Sequence, residues 1–119
     1  MKNELAEQSI AFSVSMVDYY KWLSAEHNEF VMSKQILRSA TSIGANIHEA
    51  NYAISKQDMI SKFHIAVKEA AETEYWLIIL KNSGYVYPKH NELYEQCIAL
   101  KKMLVASINT LKTSIKIKK

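Results

Sequence analysis

The sequence predicts an all-α fold: one domain, residues 1–119, built as an antiparallel up-down-up-down four-helix bundle. Three observations carry this. Gly occurs twice and Pro once in 119 residues, too few turn residues for a strand-rich sandwich. Apolar side chains recur at spacings of 3 and 4 along most of the chain, the period of a helix with one buried face. Four such stretches are separated by short connections, and short connections make successive helices antiparallel neighbours.

The first helix is expected over residues 3–24. Ala6, Ile10, Ser13, Val17 and Tyr20 are spaced 4, 3, 4 and 3, so they share a face and read as the buried stripe. Glu26-His27-Asn28-Glu29 is polar and reads as the first connection. The second helix, 31–50, carries the stripe Ile36, Ala40, Ile43, Ile47 and Ala50, with small residues Ser39, Ala40, Gly44 and Ala45 in its middle. Gly inside a helix costs about 1 kcal/mol relative to Ala. Close approach of a neighbouring helix is the expected reason for Gly44.

The third helix, 56–83, opens on Ser55-Lys56-Gln57-Asp58, a capping box with Asp in place of the usual Glu. Met59, Phe63, Ala66, Ala70, Thr73, Leu77 and Leu80 form its stripe. Asn82-Ser83-Gly84 ends it, because Gly accepts the left-handed conformation there. Pro88 fits the first turn of the fourth helix, 89–116. That helix carries Leu93, Cys97, Leu100, Leu104, Ile108, Leu111 and Ile115.

Several function classes fall away. One Cys excludes a disulfide scaffold and a Cys-based zinc site, and fits a reducing compartment. No run approaches the ~18 apolar residues of a membrane span. Met1-Lys2-Asn3-Glu4 lacks the start of a signal peptide. The expectation is a cytoplasmic protein without a membrane partner. A bundle di-metal site needs Glu-x-x-His on two helices. The residues three before His27, His48, His64 and His90 are Ser24, Ala45, Ser61 and Tyr87, so no metal is expected. His48 and His64 read as helix-surface or interface side chains, and Cys97 as a buried structural thiol. There is no Gly-rich phosphate loop and no Ser nucleophile elbow. The reading is therefore non-enzymatic, with no cofactor and no small-molecule substrate.

The charge is lopsided. Residues 1–54 carry 4 basic and 6 acidic side chains, and residues 85–119 carry 7 and 2. From Lys101 to Lys119 there are six Lys and no acid. A one-sided basic end is the footprint of a polyanion binder, and equally of a solvated helix face. Lys101, Lys102, Lys112, Lys116, Lys118 and Lys119 are the candidate contacts to RNA or DNA.

On the second helix Arg38, Ser42, Asn46 and Glu49 are spaced 4, 4 and 3 and share a face. Arg38 is the one Arg beside 14 Lys, and its rigid fork is something Lys cannot imitate. Its partner could be a phosphate, or acids such as Glu49, Glu72 or Glu74 in this or a neighbouring subunit. The structural reading is a helix seam formed by Arg38, Ser42, Gly44, Asn46, Glu49, Glu72 and Glu74. Tyr19, Tyr20, Trp22, Tyr75, Trp76, Tyr85, Tyr87 and Tyr94 could stack bases, or fill bundle ends and a subunit interface.

Residues 37–51, Leu-Arg-Ser-Ala-Thr-Ser-Ile-Gly-Ala-Asn-Ile-His-Glu-Ala-Asn, resemble the signature of the bacterial four helix bundle protein family. It includes proteins encoded by intervening sequences in 23S rRNA genes, and the accessory variability proteins of diversity-generating retroelements. Its pattern reads roughly L-R-R-A-x-S-I-x-x-N-I-A-E-G. Arg38, Ala40, Ser42, Ile43, Asn46, Ile47 and Glu49 match. Phe63, Ala66, Glu72-Thr73-Glu74, Leu77 and Gly84-Tyr85 fall where the family has its third helix and following turn. The chain departs at Ala50, where the family usually has Gly, and Asn51 is expected to supply the left-handed cap instead. The resemblance implies an antiparallel bundle assembling with itself as a homopentameric ring. In the retroelement branch it also implies a basic barrel that binds nucleic acid and a reverse transcriptase.

Overall fold

A computed structural model describes residues 3–117. It holds four helices: α1 (Glu4–Lys21), α2 (Met32–Ala50), α3 (Lys56–Asn82) and α4 (His90–Ile117). Helix α1 packs on α2 and α4, and α3 packs on α2 and α4. The four form an antiparallel bundle of 54 × 23 × 22 Å.

Local chemistry sets the ends of each helix. The Asn3 side chain accepts from the Ala6 N–H at 3.1 Å and caps α1. The end of α1 widens into a π-helical turn over Trp22–Glu26. The chain then reverses at Asn28, whose φ of 52° is one that Asn tolerates. Helix α2 has no capping side chain at Val31. The Glu29 carboxylate serves instead, accepting from the N–H groups of Val31, Met32 and Ser33 at 3.2, 3.0 and 2.7 Å. A carboxylate there also complements the positive end of the helix.

The α2–α3 turn differs from expectation. Asn51 is right-handed, with φ −66° and ψ −16°. No left-handed residue is needed, because the chain tightens to i→i+3 bonds: Tyr52 N–H donates to Glu49 O and Ala53 N–H to Ala50 O, at 2.9 and 3.2 Å. Ser55 then caps α3 by accepting from Asp58 N–H at 3.0 Å. Asp58 in turn accepts from Ile54 N–H at 3.2 Å. At the other end of α3, Gly84 N–H donates to Lys81 O and Tyr85 N–H to Leu80 O. This is a Schellman cap with Gly84 at φ 92°. Pro88 lies in the turn before α4, not inside its first turn.

The core matches the expected stripes on α2 and α4 closely and on α3 with a shift at its start. Ile60 is buried there, while Met59 and Phe63 are half-buried. Helix α1 is rotated. Its buried residues are Leu5, Ser9, Phe12, Met16 and Tyr19, one position from the expected stripe. Ile10 is 60% and Val14 59% exposed. Two apolar stripes run side by side on α1, and the one with the larger side chains fills the core, where apolar burial gains most.

Gly44 faces α1. A Cβ there would sit 3.3 Å from Ser13 Oγ and 3.5 Å from Ser9 Oγ, so the two helices approach at small residues. We expect Gly44→Leu to destabilise the fold by about 1–3 kcal/mol through overpacking. Gly84→Ala should cost about 1 kcal/mol through its φ alone, since its Cβ would meet nothing within 4 Å. Urea unfolding of both variants checks the pair.

Candidate functional site

The polar row on α2 meets α3. The Arg38 fork pairs with Glu72 and, at 3.4 Å, with Glu69. Glu72 also accepts from the Trp76 indole N–H at 3.0 Å. The Arg38 guanidinium and that indole hold the Glu72 carboxyl below the usual carboxylate range. Deeper in the seam, the Ser39 and Thr73 hydroxyls meet at 2.8 Å, fully buried. Glu49 pairs with Lys62 at 3.2 Å. Asn46 donates to the Ser42 carbonyl on its own helix at 2.9 Å.

The sequence pattern groups seven residues as one seam, and the structure divides them. Arg38, Glu72 and Glu49 join α2 to α3. Gly44 belongs to the α1–α2 approach. Glu74 belongs to the α3–α4 seam, where it pairs with Lys101. Glu69, which the sequence pattern does not single out, is the second acid on Arg38.

The six lysine candidates also divide. Lys101 is half-buried and committed to Glu74, a bond that raises its affinity for its proton. Lys102, Lys112 and Lys116 are exposed on α4 and make no ion pair among the described residues. Lys118 and Lys119 lie outside the described residues. Beside this seam the Cys97 thiol donates to Ala70 O at 3.4 Å. Burial, then the nearby Glu74 carboxylate, push that thiol up to about 12, so it stays protonated and unreactive at neutral pH.

A second cluster fills the end of the bundle where α1 and α3 finish and α4 begins. Tyr19 stacks on Tyr87 with ring centroids 4.2 Å apart. Trp22 packs against both rings, and His27 lies on Trp22. The Tyr19 hydroxyl meets His90 Nδ1 at 2.8 Å in a buried bond between α1 and α4. Burial, then Lys81, lower the His90 pKa, and burial raises that of Tyr19. The pair is therefore neutral at pH 7. Shallow grooves of about 540 and 250 Å³ flank it and share His90, Lys81 and Asn91. Sequence pattern places Tyr19, Trp22 and Tyr87 among bundle-end candidates and does not connect His90 to them. The antiparallel topology is the signal that does, because it brings residues 19–27 and 85–90 to one end.

Among the described residues, no group of three or more His, Cys, Asp or Glu is placed to hold a metal ion. No helix among them is long and apolar enough to cross a membrane.

A model of the 23S rRNA-intervening sequence protein family matches residues 1–106. The chain belongs to that family. A solved structure is similar over nearly its whole length: a protein with unknown function from the S23 ribosomal protein family of Bacteroides thetaiotaomicron VPI-5482. It is 47% identical, with a TM-score of 0.85 over 87% of this chain and 97% of that chain. A comparison with curated proteins gave no match. In this chain Arg38, Glu49, Glu72 and Thr73 bond across the α2–α3 seam, and Glu74 across the α3–α4 seam.

A lowered folded-state pKa means that unfolding takes up a proton at His90 as pH falls through its ordinary value of 6.5. The stability from the neutral Tyr19–His90 pair is thus complete above pH 6.5 and declines below it. His90→Asn should show a flatter stability profile than wild type between pH 7.5 and the folded-state pKa of His90. Thermal unfolding across that range reads the difference.

Proposed function

We propose that the chain is a non-enzymatic accessory factor of the cytoplasm that self-assembles, as a pentamer, and binds RNA or DNA electrostatically. The observation that supports this best is on α4. Lys102, Lys112 and Lys116 are exposed, with no ion-pair partner among the described residues, and no acid follows Glu95 in the sequence. Such cations release counterions from a phosphate backbone and give salt-sensitive affinity without sequence preference. Self-assembly is supported by apolar side chains that the described residues leave uncovered: Ile10 and Val14 on α1, and Ile65, Tyr75 and Ile78 on α3.

Exposed Phe30 and Val31 at the α1–α2 turn favour a second reading. In it the bundle is an accessory subunit for another protein, such as a reverse transcriptase, with contacts that depend little on salt.

The test is titration of a labelled structured RNA at about 50 and 200 mM salt. Affinity should fall steeply between the two. Replacing Lys102, Lys112 and Lys116 with Gln should flatten the salt slope by roughly 0.7–0.9 for each phosphate no longer neutralised. Arg38→Ala should lower stability and leave that slope unchanged. A stable, assembled Arg38→Ala variant that no longer binds RNA would move Arg38 from the seam to the interface. No binding at the lower salt would remove the direct nucleic-acid reading and leave the protein partner. The oligomer mass by light scattering tests the ring.

A further inference from the structure

We propose that the groove where α4 begins binds a small monocarboxylate with an apolar body, its carboxylate held by His90, Lys81 and Asn91. It is a ligand site, independent of the nucleic-acid reading above. The two grooves beside the Tyr19–His90 pair share those three residues. Glu95 lines the larger one. The smaller, of about 250 Å³, has no acid among its lining residues, and the carboxylate is assigned there.

The first donor follows from the buried bond. His90 is 6% exposed and Tyr19 is wholly buried. The Tyr19 hydroxyl has one hydrogen-bond partner among the described residues, His90 Nδ1 at 2.8 Å. A buried O–H left without an acceptor is costly, so the hydroxyl donates and Nδ1 accepts. In a neutral imidazole the proton then sits on Nε2. Nε2 has no hydrogen-bond partner among the described residues, and no side-chain N or O sealed from solvent among them lacks one. Nε2–H therefore reaches the groove surface as a free donor. Tyr19 stacks on Tyr87, and Trp22 packs against both rings. The support behind His90 is thus rigid, and the donor needs little further ordering.

Two more donors converge on it. Lys81 Nζ donates to Asn91 Oδ1 at 3.2 Å and makes no ion pair among the described residues. That bond leaves further ammonium protons free, and it leaves the Asn91 amide nitrogen as a donor. Lys81 is also the charge that acts on the His90 ring. His90 and Asn91 open α4, so the positive end of the helix favours an anion at the same place. One cation with two neutral donors matches a single negative charge spread over two oxygens. A phosphate, with a charge of about −1.5 to −2, would be left partly unmatched. The remaining wall is apolar, formed by Val86, Tyr87 and Pro88, and Val86 is 84% exposed. A few polar groups that orient an apolar body are the pattern of small-molecule sites.

The experiment titrates the full chain with benzoate, benzamide and inorganic phosphate, reading the Asn91 side-chain amide and the His90 ring by NMR. Benzoate should shift both signals saturably. Benzamide keeps the shape without the charge, and phosphate keeps charge without the apolar body. Each should bind about tenfold more weakly than benzoate or worse. Lys81→Gln should weaken benzoate about tenfold with unchanged thermal unfolding, since Lys81 is exposed. Asn91→Ala, also at an exposed position, should weaken it as well. Benzamide or phosphate binding as tightly as benzoate, full benzoate affinity in Lys81→Gln, or no saturable shift in wild type would each overturn the proposal. None of these outcomes bears on RNA binding, so the nucleic-acid reading stands or fails on its own titration.

Discussion

Helix α3 is the constraint on which the rest of the bundle depends. Among the described residues, nearly every side-chain bond between helices has one end on it. Toward α2 these are Arg38 with Glu69 and Glu72, Glu49 with Lys62, and Ser39 with Thr73. Toward α4 they include Lys101 with Glu74, Cys97 with the Ala70 carbonyl, Lys81 with Asn91, and Lys56 with Ser114. Apolar stripes alone would let neighbouring helices slide by a turn with little loss of buried area. Directional bonds at fixed heights do not. Helix α1 stands apart, held by its core stripe, by close approach at Gly44, and by the Tyr19–His90 bond at one end.

This arrangement sorts the charges. Arg38, which the sequence pattern assigns to a seam, and Lys101, which it offers to a phosphate, each face a carboxylate on α3 and have their charge neutralised inside the protomer. Exposed pairs of this kind stabilise modestly, by roughly 0–1 kcal/mol each, so their value lies more in register than in energy. Of the candidate lysines on α4, Lys102, Lys112 and Lys116 stay exposed with no ion pair among the described residues.

The period of the apolar residues makes α2, α3 and α4 legible, because each has one dominant stripe. The same rule misplaces the buried face of α1 by one position. That helix has two neighbouring stripes, and a spacing rule cannot say that Phe12, Met16 and Tyr19 outweigh Ile10 and Val17 in filling a core. The α2–α3 turn escapes it because Asn tolerates both helical hands, and the tertiary path chooses the right-handed one. The pairing of Arg38 with Glu69 and Glu72 spans more than 30 residues. Local spacing puts Arg38 on a polar face but carries no information about which acid arrives opposite.

The sorting of charge is tested most directly by a double-mutant cycle on Lys101 and Glu74, with thermal unfolding and RNA affinity read on the same four proteins. If Lys101 belongs to the seam, the coupling between the two appears in stability, at about 0.2–1 kcal/mol. The salt slope of RNA binding is then the same in Lys101→Gln as in wild type. A Lys101→Gln variant of unchanged stability with a shallower salt slope would contradict this, and would return Lys101 to the proposed phosphate contacts.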